Sequence, residues 1–93
     1  MFEWDDEKSR RNLEERGFDF GFATRVFEGD RLEYEDRRRD YGEHRYVAVG
    51  EVDGEVLFVV YAWRGADRRI ISARRASRRE RDAYCETFGK ANR

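Results

Sequence analysis

The chain has 93 residues, 39% of them hydrophobic and 44% charged, with a formal net charge of −1. That is enough for one domain with a modest core and a heavily charged surface, spanning residues 1–93, and not for a second. No stretch approaches the roughly 20 apolar residues of a membrane-spanning helix, and the opening "MFEWDDEKSRRNLEERG" lacks the apolar run of a signal peptide.

A lone cysteine, Cys85, excludes an intrachain disulfide and points to a reducing cytoplasm. The net charge conceals a segregation. Residues 1–63 carry ten Lys/Arg against seventeen Asp/Glu, a balance of −7; residues 64–93 carry ten against four, a balance of +6. Either the carboxyl-terminal end meets an anionic partner, or the two parts neutralise one another in the fold.

In chain order, "FEW" (2–4) reads as a short strand, and Asp5 as the N-cap of a polar helix that Gly17 ends. Asp19 caps a second helix whose Phe22, Ala23, Val26 and Phe27 form one apolar stripe, closed by Gly29-Asp30. "LEYED" (32–36) alternates like a strand, "RRRDYGEH" is a charged loop, and "RYVAVGEV" (45–52) is a second run. Asp53-Gly54 is a strong hairpin signal. The following "EVLFVVYAW" (55–63) is apolar on both faces, as a central, doubly covered strand requires. "RGAD" turns into "RRIISARR" (68–75), and Ser77 with Glu80 makes a capping box for a helix over 77–88. Ala76, Ala83, Tyr84 and Phe88 are its expected apolar face. The order β-α-α-β-β-β-β-α predicts an α+β domain, an antiparallel sheet with two N-terminal helices and one C-terminal helix, set mostly on one face.

One histidine and one cysteine leave no zinc constellation, and no glycine-rich phosphate loop occurs, so neither a metal nor another cofactor is expected. What remains is arginine, carboxylate and tyrosine. Strict alternation along the last strand places Ile71, Ala73 and Arg75 on one face and Ile70, Ser72 and Arg74 on the other, each face turning cationic at its end. Arg78 and Arg79 follow at a helix start, where anions are favoured. These residues read as a phosphate-holding rim, or as a solvated strand end paired with acids. Glu43 and Arg45, flanking His44 at the mouth of the 45–52 run, are expected near the Arg74 side. Glu43 would serve as general base or orienting group, and Tyr61 and Tyr84 as proton donors or base platforms. Lys8, Asn12 and Arg16 share one face of the first helix, and Lys8 and Arg16 add RNA-binding cations.

The segments "FEWDDEKSRRNLEERG", "FATRVFEGD", "GEHRYVAVG" and "RIISARRASRRERDAY" together resemble the BrnT family of bacterial toxins along essentially the whole chain. The resemblance implies a RelE-like fold. It also implies a ribonuclease that blocks translation, cleaves RNA without a metal ion, and is neutralised by a BrnA-type ribbon-helix-helix antitoxin; operator DNA would be met only through that complex. Two departures stand out. Where the family commonly has Asn-Leu-x-Lys-His-Gly, this chain has Glu15 and Arg16 before Gly17, and Asp6 replaces a proline. The departures leave a second reading open, a catalytically weak or inactive toxin-fold module acting through its antitoxin complex. A general nucleic-acid binder is disfavoured by the net charge of −1.

Overall fold

Asp53 and Gly54 both take positive φ, 50° and 83°, the backbone that a two-residue turn between right-twisted strands demands. On this hairpin hangs the sheet of the computed structural model, which describes residues 1–90. Its strands are β1 (Phe2–Trp4), β2 (Arg31–Glu35), β3 (Tyr46–Val52), β4 (Glu55–Arg64) and β5 (Asp67–Arg75), and its helices α1 (Asp6–Arg16), α2 (Phe20–Ala23) and α3 (Arg78–Phe88). A 3-10 segment, Thr24–Glu28, prolongs α2. No helix among the described residues is long and apolar enough to cross a membrane.

The spatial order is β1-β5-β4-β3-β2. β4 lies at the centre, as its two apolar faces predict. The sheet is antiparallel as expected, except that β1 pairs with β5 in parallel at one edge. β1 is the first strand and β5 the last: after α1 and α2 the chain re-enters at the far edge as β2 and winds back through β3 and β4, so that β5 runs in the same direction as β1.

The helices cover both faces, not mostly one. Phe18, Phe20, Ala23 and Val26 pack on Ala48, Leu57, Val59, Tyr61, Ile70 and Ala73. On the opposite face Tyr84 and Cys85 of α3 pack on Val47, Val49, Phe58 and Val60. A strand apolar on both sides needs two lids, and the C-terminal helix supplies the second. Ala83 is exposed and Cys85 takes its place in the apolar face of α3.

Strict alternation in β5 also fails. Val60 pairs with Ser72 but Tyr61 with Ile70, so Ile71 is the extra residue of a bulge. Ile70 thereby joins Ala73 in the α1/α2 core, and Ile71 packs in the α3 core.

The helix ends obey their sequence signals. Asp5 accepts from Lys8 N at 3.0 Å, Asp19 from Phe22 N at 2.8 Å, and Ser77 from Glu80 N at 3.2 Å, with Glu80 reciprocating to Ser77 N at 2.8 Å. α1 has no apolar face, and Leu13 is exposed. Polar anchors hold it: Asn12 Nδ2 donates to Phe18 O at 2.8 Å and Ser9 Oγ accepts from Phe20 N at 3.0 Å, both side chains buried.

Candidate active site on the sheet

Two successive hairpins fix which strand ends lie together. Tyr46, at the start of β3, pairs with Tyr61 near the end of β4, which pairs with Ile70 near the start of β5; Arg74 pairs instead with Phe58 and so lies toward Val49. Glu43 and Arg45 therefore sit at the opposite end of the sheet from Arg74 and Arg75. The expected single rim divides into two surfaces.

At the β5 carboxyl end the two arginines also diverge, one to each face. Arg74 forks onto Glu80 at 2.8 and 2.9 Å and lies 3.9 Å over the Phe58 ring, on the α3 side. Arg75 donates to Glu55 at 2.8 Å and to Arg16 O, and lies over Phe18 on the α1/α2 side. Arg16 donates to Asn12 Oδ1 at 3.0 Å and to Ala73 O at 3.2 Å, tying α1 to the strand. Lys8, Arg11 and Arg16 nonetheless line one groove of about 120 Å³ beside Ser72, with Glu15 on its wall. Arg78 and Arg79 are exposed on the first turn of α3. Tyr84 leaves the set of candidates for catalysis. It is 1% exposed beneath α3, its hydroxyl donating to Asp30 O and accepting from Lys90 Nζ.

At the other end, Glu43 holds two arginines, Arg64 at 2.8 Å and Arg45 at 3.3 Å. Arg64 first, then Arg45, keep its carboxyl below the ordinary glutamate range. Arg45 lies 4.3 Å over the Tyr41 ring. His44 Nδ1 lies 2.9 Å from Glu35, on the rim of a hollow of about 590 Å³ made by the β2–β3 loop.

Around Tyr61 the sheet gathers a different constellation. Its hydroxyl donates to Glu33 Oε2, while Arg31 Nε donates to Glu33 Oε1 at 2.6 Å and Arg31 Nη1 to Phe27 O at 3.0 Å. Arg68, in register with Phe2 on one side and Trp63 on the other, lies 4.3 Å over Phe27, 4.7 Å over Trp63 and 5.3 Å over Tyr61. Its Nε is buried without a hydrogen-bond partner among the described residues. Burial pushes the Glu33 carboxyl up, but the Tyr61 hydroxyl and then Arg31 outweigh it and hold the group below the ordinary range. Burial first, then Glu33, push the Tyr61 phenol up, so it keeps its proton. The outcome is an ionised carboxylate at the surface, fixed from below by a phenol and flanked by two guanidinium groups.

Sequence reasoning reached Tyr61 and missed Glu33, Arg31 and Arg68. The signal was a hydroxyl in an otherwise apolar central strand, which needs a partner. The partner's identity was not local.

The chain is an α+β domain whose sheet presents a carboxylate, a phenol and arginines on one face. More particularly, the chain belongs to the BrnT family: the family model described as ribonuclease toxin, BrnT, of type II toxin-antitoxin system matches residues 4–80. The matched span includes Glu33, Tyr61, Arg68, Arg74 and Arg75 and stops before Tyr84. No match was found among curated proteins.

Proposed function

We propose that this protein cleaves single RNA phosphodiesters at the Glu33–Tyr61–Arg68 face without a metal ion, arresting translation, and that an antitoxin of the BrnA ribbon-helix-helix type neutralises it. One observation carries the assignment: an ionised, hydrogen-bonded carboxylate lies beside Arg68, whose buried Nε has no hydrogen-bond partner among the described residues. Glu33 takes the proton of a ribose 2′-hydroxyl. The 2′-oxygen attacks the adjacent phosphorus, the P–O5′ bond breaks, and the leaving 5′-oxygen takes its proton from solvent. Arg68 and Arg31 stabilise the charge on the phosphoryl oxygens, a contribution of about 3–4 kcal/mol per well-placed donor. Tyr61 is a positioning residue that keeps Glu33 ionised. Glu43 and Arg45 support the rim of the site.

Lys8, Arg16, Arg78 and Arg79, with Arg74 and Arg75, would contact the RNA backbone away from the bond cleaved. An acidic antitoxin segment over the same cations would neutralise charge and exclude RNA together; operator DNA is then reached only through the complex. Glu15 and Arg16, the positions at which the sequence departs from the pattern expected from the resemblance, lie on the groove and not at the Glu33 face. The charge reversal at Glu15 therefore leaves the proposed chemistry in place, which disfavours the inactive-module reading.

The test is single-turnover cleavage of a labelled RNA in the presence of a chelator. Glu33→Gln is expected to slow it by at least about 100-fold while RNA binding persists, and Arg68→Ala by a similar factor. Arg74→Ala and Arg75→Ala are expected to weaken binding with the bound rate retained. Wild-type cleavage by Glu33→Gln, or loss of wild-type activity on chelation, defeats the assignment.

A further inference from the structure

Trp63 is 45% exposed and Phe2 37%, and both pair in register with Arg68, one on each side of it. Large rings left half in water forgo much of the stabilisation their burial would give. Trp63 meets the Tyr61 ring edge-on, at 5.9 Å and 85°, and receives the Arg68 guanidinium 4.7 Å from its centroid. The indole is thus held by neighbours on two sides and is still open to solvent. It stands beside the cation assigned to the phosphate, on the same face as the assigned base.

We propose that Trp63 is a nucleobase platform: the base next to the scissile phosphate stacks on its indole, making the substrate single-stranded RNA. The proposal rests on the Glu33–Arg68 reading of the site and adds the feature that selects the substrate. A nucleotide whose phosphate reaches Arg68 has its base within reach of Trp63, because a ribose is all that separates them. In a duplex that base is stacked and paired, and the ribose is held away from the in-line geometry that 2′-hydroxyl attack needs. Aromatic stacking is tolerant of base identity, so the platform chooses strandedness and leaves sequence preference to other contacts.

The probe is a short 2′-O-methyl RNA oligonucleotide, which lacks the nucleophile and remains intact. Titrated into the full chain, it is expected to quench tryptophan fluorescence. In Trp63→Phe, which keeps a ring and retains Trp4, the quench is expected to vanish while affinity stays near wild type. In Trp63→Ala affinity is expected to fall roughly tenfold or more, and the same oligonucleotide annealed to its complement is expected to bind wild type no better than it binds Trp63→Ala. Equal quenching in wild type and Trp63→Phe overturns the proposal, as does wild-type affinity in Trp63→Ala. Quenching of Trp63 by an acidic peptide and not by the oligonucleotide also overturns it, reassigning the surface to a protein partner. Glu33→Gln separates the two readings. If it loses cleavage while Trp63 is silent, only the platform falls; if it cleaves normally while the Trp63 quench persists, only the catalytic assignment falls.

Discussion

Asp36 shows how one residue fixes the loop beside the site. Its side chain accepts from Arg38 Nε at 2.8 Å, Arg38 Nη2 at 2.7 Å and the Tyr41 hydroxyl at 3.1 Å, in a residue only 5% exposed. The Arg38 bond is the main reason its carboxyl is lowered from 3.8 to about 2. A carboxyl lowered on folding stabilises above its unfolded value and loses that contribution as pH falls through the folded one. Asp36→Asn is therefore expected to unfold in urea with roughly 2 kcal/mol less stability at neutral pH, the gap closing as pH falls from 3.8 toward about 2. Tyr61→Phe tests the neighbouring pair. Without the phenol, Glu33 loses the largest of the interactions that lower its carboxyl, and the carboxyl rises. The acid limb of the cleavage pH profile is expected to move to higher pH, with the neutral-pH rate little changed. An unmoved limb would show that Tyr61 does not tune the base.

At the scale of an element, α1 is the exception to amphipathic packing. Its inward face is Ser9 and Asn12 where a helix of this length ordinarily presents aliphatic side chains. Each closes a buried hydrogen bond to the chain entering α2, and Asn12 also receives Arg16, which bonds to Ala73 O of β5. Asn12→Ala leaves Phe18 O without its donor, and is expected to cost about 1–3 kcal/mol in chemical denaturation. Asn12→Leu is expected not to recover it, since the deficit is a missing donor and not missing volume. The opposite device operates between β3 and the 3-10 segment. A Cβ on Gly50 would lie 3.1 Å from Val26 Cγ1 and 3.2 Å from Asp30 O, so glycine there lets the segment leading to β2 close over the sheet. The site depends on that closure, because Arg31 and Glu33 come directly after it.

Across the whole molecule the charge segregation is largely settled internally. Arg69 pairs with Glu3, Arg75 with Glu55, Arg64 with Glu43 and Lys90 with Glu51, each joining the basic carboxyl-terminal part to the acidic remainder. Among the described residues Lys8, Arg11, Arg78 and Arg79 are exposed and carry no ion pair. A few unpaired cations predict a shallow salt dependence. The logarithm of affinity for the 2′-O-methyl oligonucleotide is expected to fall with the logarithm of KCl concentration at a slope of about −2 to −3, and Lys8→Ala or Arg11→Ala to reduce that slope by about 0.7. A slope near zero would place RNA binding on stacking alone.

The elements themselves were legible because their causes are local. Asp5, Asp19 and Ser77 each cap a helix, Asp53-Gly54 turns the chain, and the doubly apolar run of β4 marks the centre of a sheet. Family resemblance was legible for a similar reason, since short motifs survive in linear order. The site was not. Alternation assumes one residue per step, and the bulge at Ile71 breaks that count through packing on both faces. Strand direction, set by the two hairpins, sent Arg74 and Glu43 to opposite ends, while Glu33 and Arg68 were brought to Tyr61 from strands far apart in the sequence. Local sequence determined which segments become helix and strand, because propensity and capping act within a few residues. Tertiary structure alone decided which side chains meet, because a hydroxyl buried in a central strand takes its partner from whatever the finished sheet places beside it.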